Sequence, residues 1–496
     1  MITQHTIVDP PKLLKSDLAA EFPIYVYVFK DKKQLIYSTS LLELLDDNRV
    51  LKPLDVSEEG LSFLLQCGVV PPPNTIYSDV YIIGAGDSLS ISTKGDKLAL
   101  SFSYKFEFSN DNRSTPEDML PDENHILELV AKSTISRIDS NSPTFMFHSA
   151  GKDSNTIALA LAEAGWQEKV TLVTHKSKGD ADESIISKSI ADKLGFKHIV
   201  LNETLDYSKN IEKINDYFLH TVLPVLDSVT LAYPLYPIQL PELKGSNVID
   251  GGGNDIYMCT PPSKRDSLFF NLAPHLSKFS GLLNQFTNSE NKIRALTRTK
   301  AEWCGFSGFS YDESRRLTNF QTDTTIFFKD LQQNRFNWDS FDFKTSILTP
   351  IIASEMHIRK IRCATDYWGS NCILPFANQA VAEYFQKLPE AYQFDRTTRK
   401  NKLILRKILK NKIDLDSDSI GKKGYVFDYS SLLTSIFPDV TREIHSCRLW
   451  KTSEIRSTCK RLEYKVLNTN DNSAAKILYL RLYLVSAWLN RNKYIN

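Results

Sequence analysis

No run of about 18 apolar residues, the length a helix needs to cross a bilayer, occurs in the chain. The N-terminal stretch MITQHTIVDPPKLLKSDLAAEF also lacks the apolar core of a secretory signal. A soluble, cytoplasmic protein is the expectation. Charge of one sign is missing too: 60 Lys and Arg stand against 59 Asp and Glu. Without a net positive field there is nothing to draw in nucleic acid irrespective of its sequence, and no such partner is expected. Cysteine is sparse and unpatterned. Cys67, Cys259, Cys304, Cys363, Cys372, Cys447 and Cys459 are odd in number, with no C-x-x-C pair and no histidine at ligand spacing. That argues against a disulfide framework or a zinc site and predicts buried, reduced thiols. Internal repeats and low-complexity tracts are absent as well.

What is present suffices for a packed core. Over 496 residues, 42% are apolar and 24% charged, which suits two or three globular domains. From Pro23 to about Ser103, short alternating segments (YVYVFKD, QLIYST, DVYIIGAG, DSLSIST, LALSFSYKF) predict an antiparallel sheet. One helix, SEEGLSFLLQCG, opens on Ser57 as its cap and closes before Gly68. The polar stretch FSNDNRSTPEDMLPDEN reads as a linker. From about His125 to Tyr257 helices alternate with apolar runs: ILELVAKSTISRI, TFMFHS, TIALALAEAG, KVTLVTH, ESIISKSIADKLG, KHIVL and NVIDGG. Such alternation predicts an α/β fold with a mainly parallel sheet and helices on both faces. Beyond Pro261 the pattern is mostly helical.

The segment TFMFHSAGKDSNTIALALAEAGW carries the most chemistry. An apolar strand runs into Ser149, Ala150, Gly151, Lys152, Asp153 and Ser154, and a helix follows at once. A tight loop of small residues at a helix N-terminus can hold an anion on backbone N–H groups and the helix dipole. Ala150 and Gly151 allow close approach of phosphate oxygens, and Ser149 and Ser154 offer hydroxyls. Asp153 makes sense beside phosphate if a divalent cation lies between them. The alternative is an ordinary strand-to-helix turn with Ser and Asp as caps.

SAGKDS resembles the SGGxDS loop of the N-type ATP pyrophosphatases, with Ala150 in place of the second glycine; it lacks the G-K-S/T of the Walker loop. Other segments narrow the resemblance to the asparagine synthetase group. Asp182-Glu183 opens a helix followed by His198, LPVLDSVTLAYPLY is similar to deP..d......y, and VIDGGGNDIYM to VLSGEGADELFGG. PFANQAVAEYFQKLPEAYQFDRTTRKNKLILR is similar to PFLD..lve....lP......K.ilR, and SAWLNRN to a closing W-L helix. GVVPPPNTIYSDVYIIGAGDSLSI is similar to the stretch that joins glutaminase and synthetase domains.

The resemblance implies a parallel-sheet ATP-pyrophosphatase domain over 125–496 with a helical C-terminal part. A linker over 109–124 and a small, mostly antiparallel, inactive glutaminase-like domain over 1–108 would precede it. It implies ATP and Mg2+ as cofactors, with Asp153 and Asp255 as the metal aspartates. Nucleotide or pyrophosphate would bind Ser149, Ala150, Gly151, Lys152, Asp153, Ser154, Gly251 and Gly253. Lys422 of IGKKGYVFDY, or Lys423 by a shift of one, would stabilise acyl transfer as the catalytic lysine. The reaction implied is AMP- and pyrophosphate-forming amide synthesis through an acyl-adenylate, from a small-molecule or peptide carboxylate and ammonia or an amine, an amine of the same substrate included. A homodimer or a partner protein is compatible with it.

The departures from the pattern set the alternatives. Glutamine-dependent members expose an N-terminal cysteine nucleophile, whereas this chain begins Met1-Ile2-Thr3, so glutamine is not the expected nitrogen donor. β-Lactam synthetases and lasso-peptide cyclases are relatives of the same kind. Aligning Gly369 and Pro375-Phe376 on GlEvRvPFLD puts Asn371 on its glutamate, Ile373 on its arginine and Asn378 on its aspartate. The two glutamates of SGEGADE fall on Gly252 and Ile256. Loss of the glutamate at Asn371 is expected to alter the acceptor side of the site most, because Asn is no base. A catalytically degenerate, nucleotide-binding partner protein is therefore the second hypothesis, and an enzyme acting on tRNA a third. His175 and His198 are expected to be structural. Arg399, Lys400 and Lys402 either face phosphate or form a solvated helix start.

Overall fold

The computed structural model describes residues 6–7, 10–103, 115, 119–177, 182–203, 206–281, 283, 287–333, 335, 337–420, 425, 427–468 and 473–495. The N-terminal part contains two antiparallel sheets. One pairs β1 (Lys12–Lys15), β5 (Ser88–Lys94) and β6 (Lys97–Ser103). The other sets β2 (Ile24–Val28) between β3 (Leu35–Ser38) and β4 (Val80–Ile83), with Thr6–Ile7 on the far side of β3. Strand alternation splits β2 between two cores. Val26 and Val28 join Leu14, Leu35, Ile83, Leu89 and Ile91 in a small core of their own. Tyr25 and Tyr27 turn the other way, into the core shared with the remainder of the chain. Helix α1 (Glu58–Cys67) starts at Ser57, whose hydroxyl accepts from Gly60 N–H, and ends at Gly68 with φ 84°.

The chain then forms α2 (Glu123–Ile135), β7 (Thr144–Phe147), α3 (Lys152–Glu163), β8 (Thr171–Lys176), α4 (Ser184–Leu194), β9 (Lys197–Asn202), β10 (Asn247–Ile249), α5 (Arg359–Trp368) and β11 (Asn371–Ile373). Five strands pair in the order β9-β8-β7-β10-β11, all parallel. Helices α2 and α4 pack against α3, as does α6 (Leu403–Ile413). The first three strands step outward in one direction and the fourth returns to the other side of β7. That reversal between β7 and β10 is a topological switch point, where the loops leaving the carboxyl ends of adjacent strands diverge and open a crevice.

The N-terminal sheets are tied to this core by polar contacts made from inside it. Arg359 of α5 donates to Tyr25 Oη (2.8 Å), and Tyr77 Oη donates to the Val222 carbonyl (2.6 Å). The last helix, α7 (Ser473–Leu489), is buried over most of its length. Its Arg481 donates to the carbonyls of Leu65 and Ser307, and Trp488 Nε1 donates to Thr221 O (2.8 Å) while the indole meets Tyr77 edge-on at 5.9 Å. All seven cysteines are free thiols, six of them buried. Among the described residues no helix is long and apolar enough to cross a membrane.

Because Trp488 fills the junction between Tyr77 and Thr221, Trp488→Ala should destabilise the protein by about 3–5 kcal/mol, measured as a lowered urea midpoint.

Candidate active site

The two loops at the switch point are built differently. After β7, Ser149 to Gly151 turn the chain into α3, and Gly151 is the N-cap, contributing no side-chain bond. Three loop amides are already committed: Ser149 N–H donates to Ser154 Oγ (3.3 Å), Ala150 N–H to Glu183 Oε2 (3.0 Å) and Gly151 N–H to Ser149 Oγ (3.0 Å). Anion-facing donors are therefore the first-turn amides of α3, at the positive end of its dipole. Ser154 Oγ closes the loop, lying 3.1 Å from Gly151 O and 3.2 Å from Ser149 O. After β10, the backbone must pass close to its neighbours. A Cβ on Gly251 would lie 3.2 Å from Asp153 Cβ, and one on Gly253, at φ 107°, only 2.7 Å from Ala377 N. Glycine lets the second loop lie against the first at 251 and against Ala377 at 253.

Asp153 and Asp255, from the two loops, converge on one cation. Lys402 Nζ is 2.6 Å from Asp153 Oδ2 and 2.7 Å from Asp255 Oδ1, and its side chain is 6% exposed. Asn254 Nδ2 donates to the other oxygen of Asp153. Burial alone would lower the Lys402 pKa, but the two carboxylates more than offset it and hold the ammonium protonated. Among the described residues no group of three or more His, Cys, Asp or Glu could hold a metal. Two convergent carboxylates nevertheless suit Mg2+, which commonly takes one or two carboxylates and completes its shell with substrate phosphates and water.

A cavity of about 280 Å³ opens between the loops. Ser149, Gly151, Asp153, Ser154, Gly251 and Asp255 line it; Ala150, Lys152 and Gly253 are buried and are not among its lining residues. Toward β8 the wall is His175, its ring centroid 3.6 Å from that of Tyr425 at a 46° tilt, with Tyr236 at 5.2 Å. His175 is a cavity residue, not only a structural one, and burial depresses its basicity against the pull of Glu203. His198 is one layer back, 2.8 Å from Thr174 Oγ1. At the other end lie Asp250, Gly252, His357 and Lys360, the last paired with Asp227 at 2.7 Å.

Asn371 is elsewhere. It pairs in register with Asn247, and Asn247 with Thr144, so it sits at the amino end of the strands, opposite the loops. Its amide donates to Arg137 O (2.7 Å) and Asn247 Oδ1 (3.0 Å). The expectation that this position alters the acceptor side is corrected by the direction of the strand. Ile373 is buried in β11, Asn378 caps the following helix, and Ile256 is fully buried. Gly252 does face the cavity, and Asp250 Oδ1 accepts from its N–H at 2.8 Å. Lys422 and Lys423 lie outside the described residues; Tyr425, just beyond them, is on the cavity wall. Of the basic cluster, Arg399 donates to Pro262 O and Ser267, Lys400 pairs with Asp418, and only Lys402 enters the site. Glu183 is a site residue that motif reasoning left without a role; Lys402, expected either to face phosphate or to form a solvated helix start, stands beside the two aspartates.

The parallel sheet, the switch-point crevice and the SAGKDS loop define an α/β domain of the ATP-pyrophosphatase type. The family model described as asparagine synthase matches residues 125–416, more than half of the chain, which therefore belongs to the asparagine synthase family. Family membership supports ATP-dependent amide formation in general. A solved NH3-dependent NAD synthetase from Campylobacter jejuni subsp. jejuni NCTC 11168, in complex with the nitrate ion, is 15% identical over 50% of this chain and 96% of that chain, with a TM-score of 0.20. No curated protein matches the chain.

Asn371→Ala should cost about 1 kcal/mol for each lost amide bond in chemical denaturation, yet leave nucleotide affinity unchanged in calorimetry. A pH effect is expected at His148, behind the loop. Asn155 Nδ2 donates to Gly151 O, so its Oδ1 accepts from His148 Nε2 (2.8 Å), leaving Nδ1 buried without a proton. Burial lowers the His148 pKa from 6.5 to about 4. The histidine binds its proton more weakly in the folded state, so its contribution is complete above about pH 6.5 and is lost as pH falls toward about 4. Denaturation midpoints of the protein and of His148→Gln across that window should differ in slope by up to about 1.4 kcal/mol per pH unit.

Proposed function

We propose that the protein uses ATP to activate a carboxylate as its acyl-adenylate and then transfers the acyl group to ammonia or an amine, releasing AMP and pyrophosphate. The observation that carries this is the convergence of Asp153 and Asp255, from loops on either side of the switch point, beside an uncapped helix N-terminus. The first turn of α3, with Ser149, Gly151 and Ser154, receives the β- and γ-phosphates. Asp153 and Asp255 hold Mg2+, which when bound supplies neutralisation of phosphate charge.

A carboxylate oxygen of the substrate then attacks the α-phosphorus and pyrophosphate departs. In the second step the nitrogen lone pair adds to the acyl carbon, a proton leaves the nitrogen, and AMP carries away the bonding pair of the acyl–oxygen bond. Fixed donors aimed at charge that develops in these steps, and not at the ground state, provide the larger part of such catalysis. The family resemblance assigns that role in acyl transfer to Lys422 or Lys423. Tyr425, two residues beyond Lys423 in the sequence, is on the cavity wall, which supports this assignment. The charged end of the cavity, with Lys360, His357 and Asp250, is where the acyl group and the nucleophile would meet.

Gly252 favours a second reading, nucleotide binding without turnover, since no side chain stands where the family has a glutamate. Calorimetric titration with ATP and Mg2+ separates the cases. The intact protein should bind, and Asp153→Ala should weaken binding by about tenfold or more, about 1.4 kcal/mol. Release of AMP with a screened acid and ammonia would then favour the ligase. Binding without any AMP release would favour the second reading, and absence of binding by the intact protein would overturn both.

A further inference from the structure

Lys402 has a geometry that a solvated or loosely held lysine would not need. It adopts left-handed backbone angles, φ 58° and ψ 42°, as the N-cap residue of α6, and makes no side-chain cap bond there. A non-glycine residue in that region is held by its surroundings. What this conformation achieves is delivery of one ammonium into a buried gap between two loops, within hydrogen-bond distance of a carboxylate from each. Asp153 is fully engaged, one oxygen with Lys402 and the other with Asn254. Two neighbouring carboxylates repel, and one fixed positive charge between them offsets that repulsion; Asp153 is largely buried and Asp255 is 34% exposed.

The same ammonium opposes a free divalent cation. To bind one alone, Asp153 and Asp255 would have to give up their shared hydrogen-bonded partner and leave it buried beside a like charge. Mg2+ also sheds its water reluctantly. A triphosphate changes the balance, because its oxygens give Lys402 an alternative anionic partner a short distance away at the start of α3. We infer that Lys402 makes metal binding conditional on nucleotide: the two aspartates accept a divalent cation together with the triphosphate and not before it. This rests on the proposal that Asp153 and Asp255 are the metal carboxylates. It adds that Lys402 is a positioning residue that sets the order of assembly and keeps the aspartates from being filled by whatever divalent cation is abundant.

Mn2+ serves as the probe, its free concentration followed by electron paramagnetic resonance, with and without ATP. The intact protein should take up Mn2+ weakly alone and far more tightly with ATP. Lys402→Met, its carboxylates no longer bridged, should bind Mn2+ alone about tenfold or more tighter than the intact protein, about 1.4 kcal/mol, and adding Asp153→Ala should abolish that gain. Equal Mn2+ affinity of the intact protein and the variant without ATP would overturn the inference. Should Lys402→Met not fold in metal-free buffer, the intact protein still decides: Mn2+ uptake of the same affinity with and without bound ATP would overturn it. Failure of ATP to bind at all counts against the proposed function alone, because the contrast in Mn2+ binding without nucleotide stands apart from it.

Discussion

One ammonium between two carboxylates ties together three segments that the fold brings side by side, the two loops at the switch point and the start of α6. Lys402 reaches Asp153, 249 residues earlier, and Asp255. Buried ion pairs add little net stability relative to apolar packing, but removing one member leaves uncompensated charge and costs about 3–5 kcal/mol. The triad therefore acts more as a constraint than as a source of stability. It ties the start of α6 to both loops and sets their two carboxylates against one charge.

Backbone shape supplies what the charge requires. The switch point places the exits of β7 and β10 side by side, so each loop needs only a few residues to reach the crevice. Gly251 and Gly253 let the second loop press against Asp153 on one side and Ala377 on the other. Behind the first loop, Glu183 holds the Ala150 amide, and His148 and Asn155 lock the turn from below. A loop whose own amides are satisfied this way does not have to reorganise when an anion arrives, and preorganisation of this kind is what electrostatic catalysis depends on.

Local signals made much of this legible in the sequence. The strand, the small-residue loop and the alanine-rich helix announce themselves within about twenty residues, and Ser57 and Gly68 bound α1 as their chemistry predicts. Position along a strand was harder to see. Asn371 lies in a motif that resembles the family's, yet in a parallel sheet only carboxyl ends face the crevice, and Asn371 begins β11. Had the strand been placed from the proline at 375 backward, the distance of Asn371 from the loops would have followed. Lys402 was only half legible for another reason: in a run of Arg399, Lys400 and Lys402 each residue could face phosphate or be solvated, and only its long-range carboxylate partners single one out.

The end of the cavity at Asp250 and Lys360 shows the same coupling of charge and backbone. Relative to SGEGADE, this chain has an aspartate at 250 and no side chain at 252. These two differences are not independent. A Cβ on Gly252 would lie 3.1 Å from Asp250 Oδ1, and that oxygen accepts the Gly252 N–H. A glutamate at 252 would crowd the aspartate at its first carbon and set two carboxylates against one short turn, with Lys360 already paired to Asp227. Aspartate at 250 is thus compatible with glycine at 252 and poorly compatible with the family's residue there. The loop keeps a carboxylate at this end of the cavity while moving it two positions along the chain, so the loss of the glutamate by itself is weak evidence that the site has ceased to work.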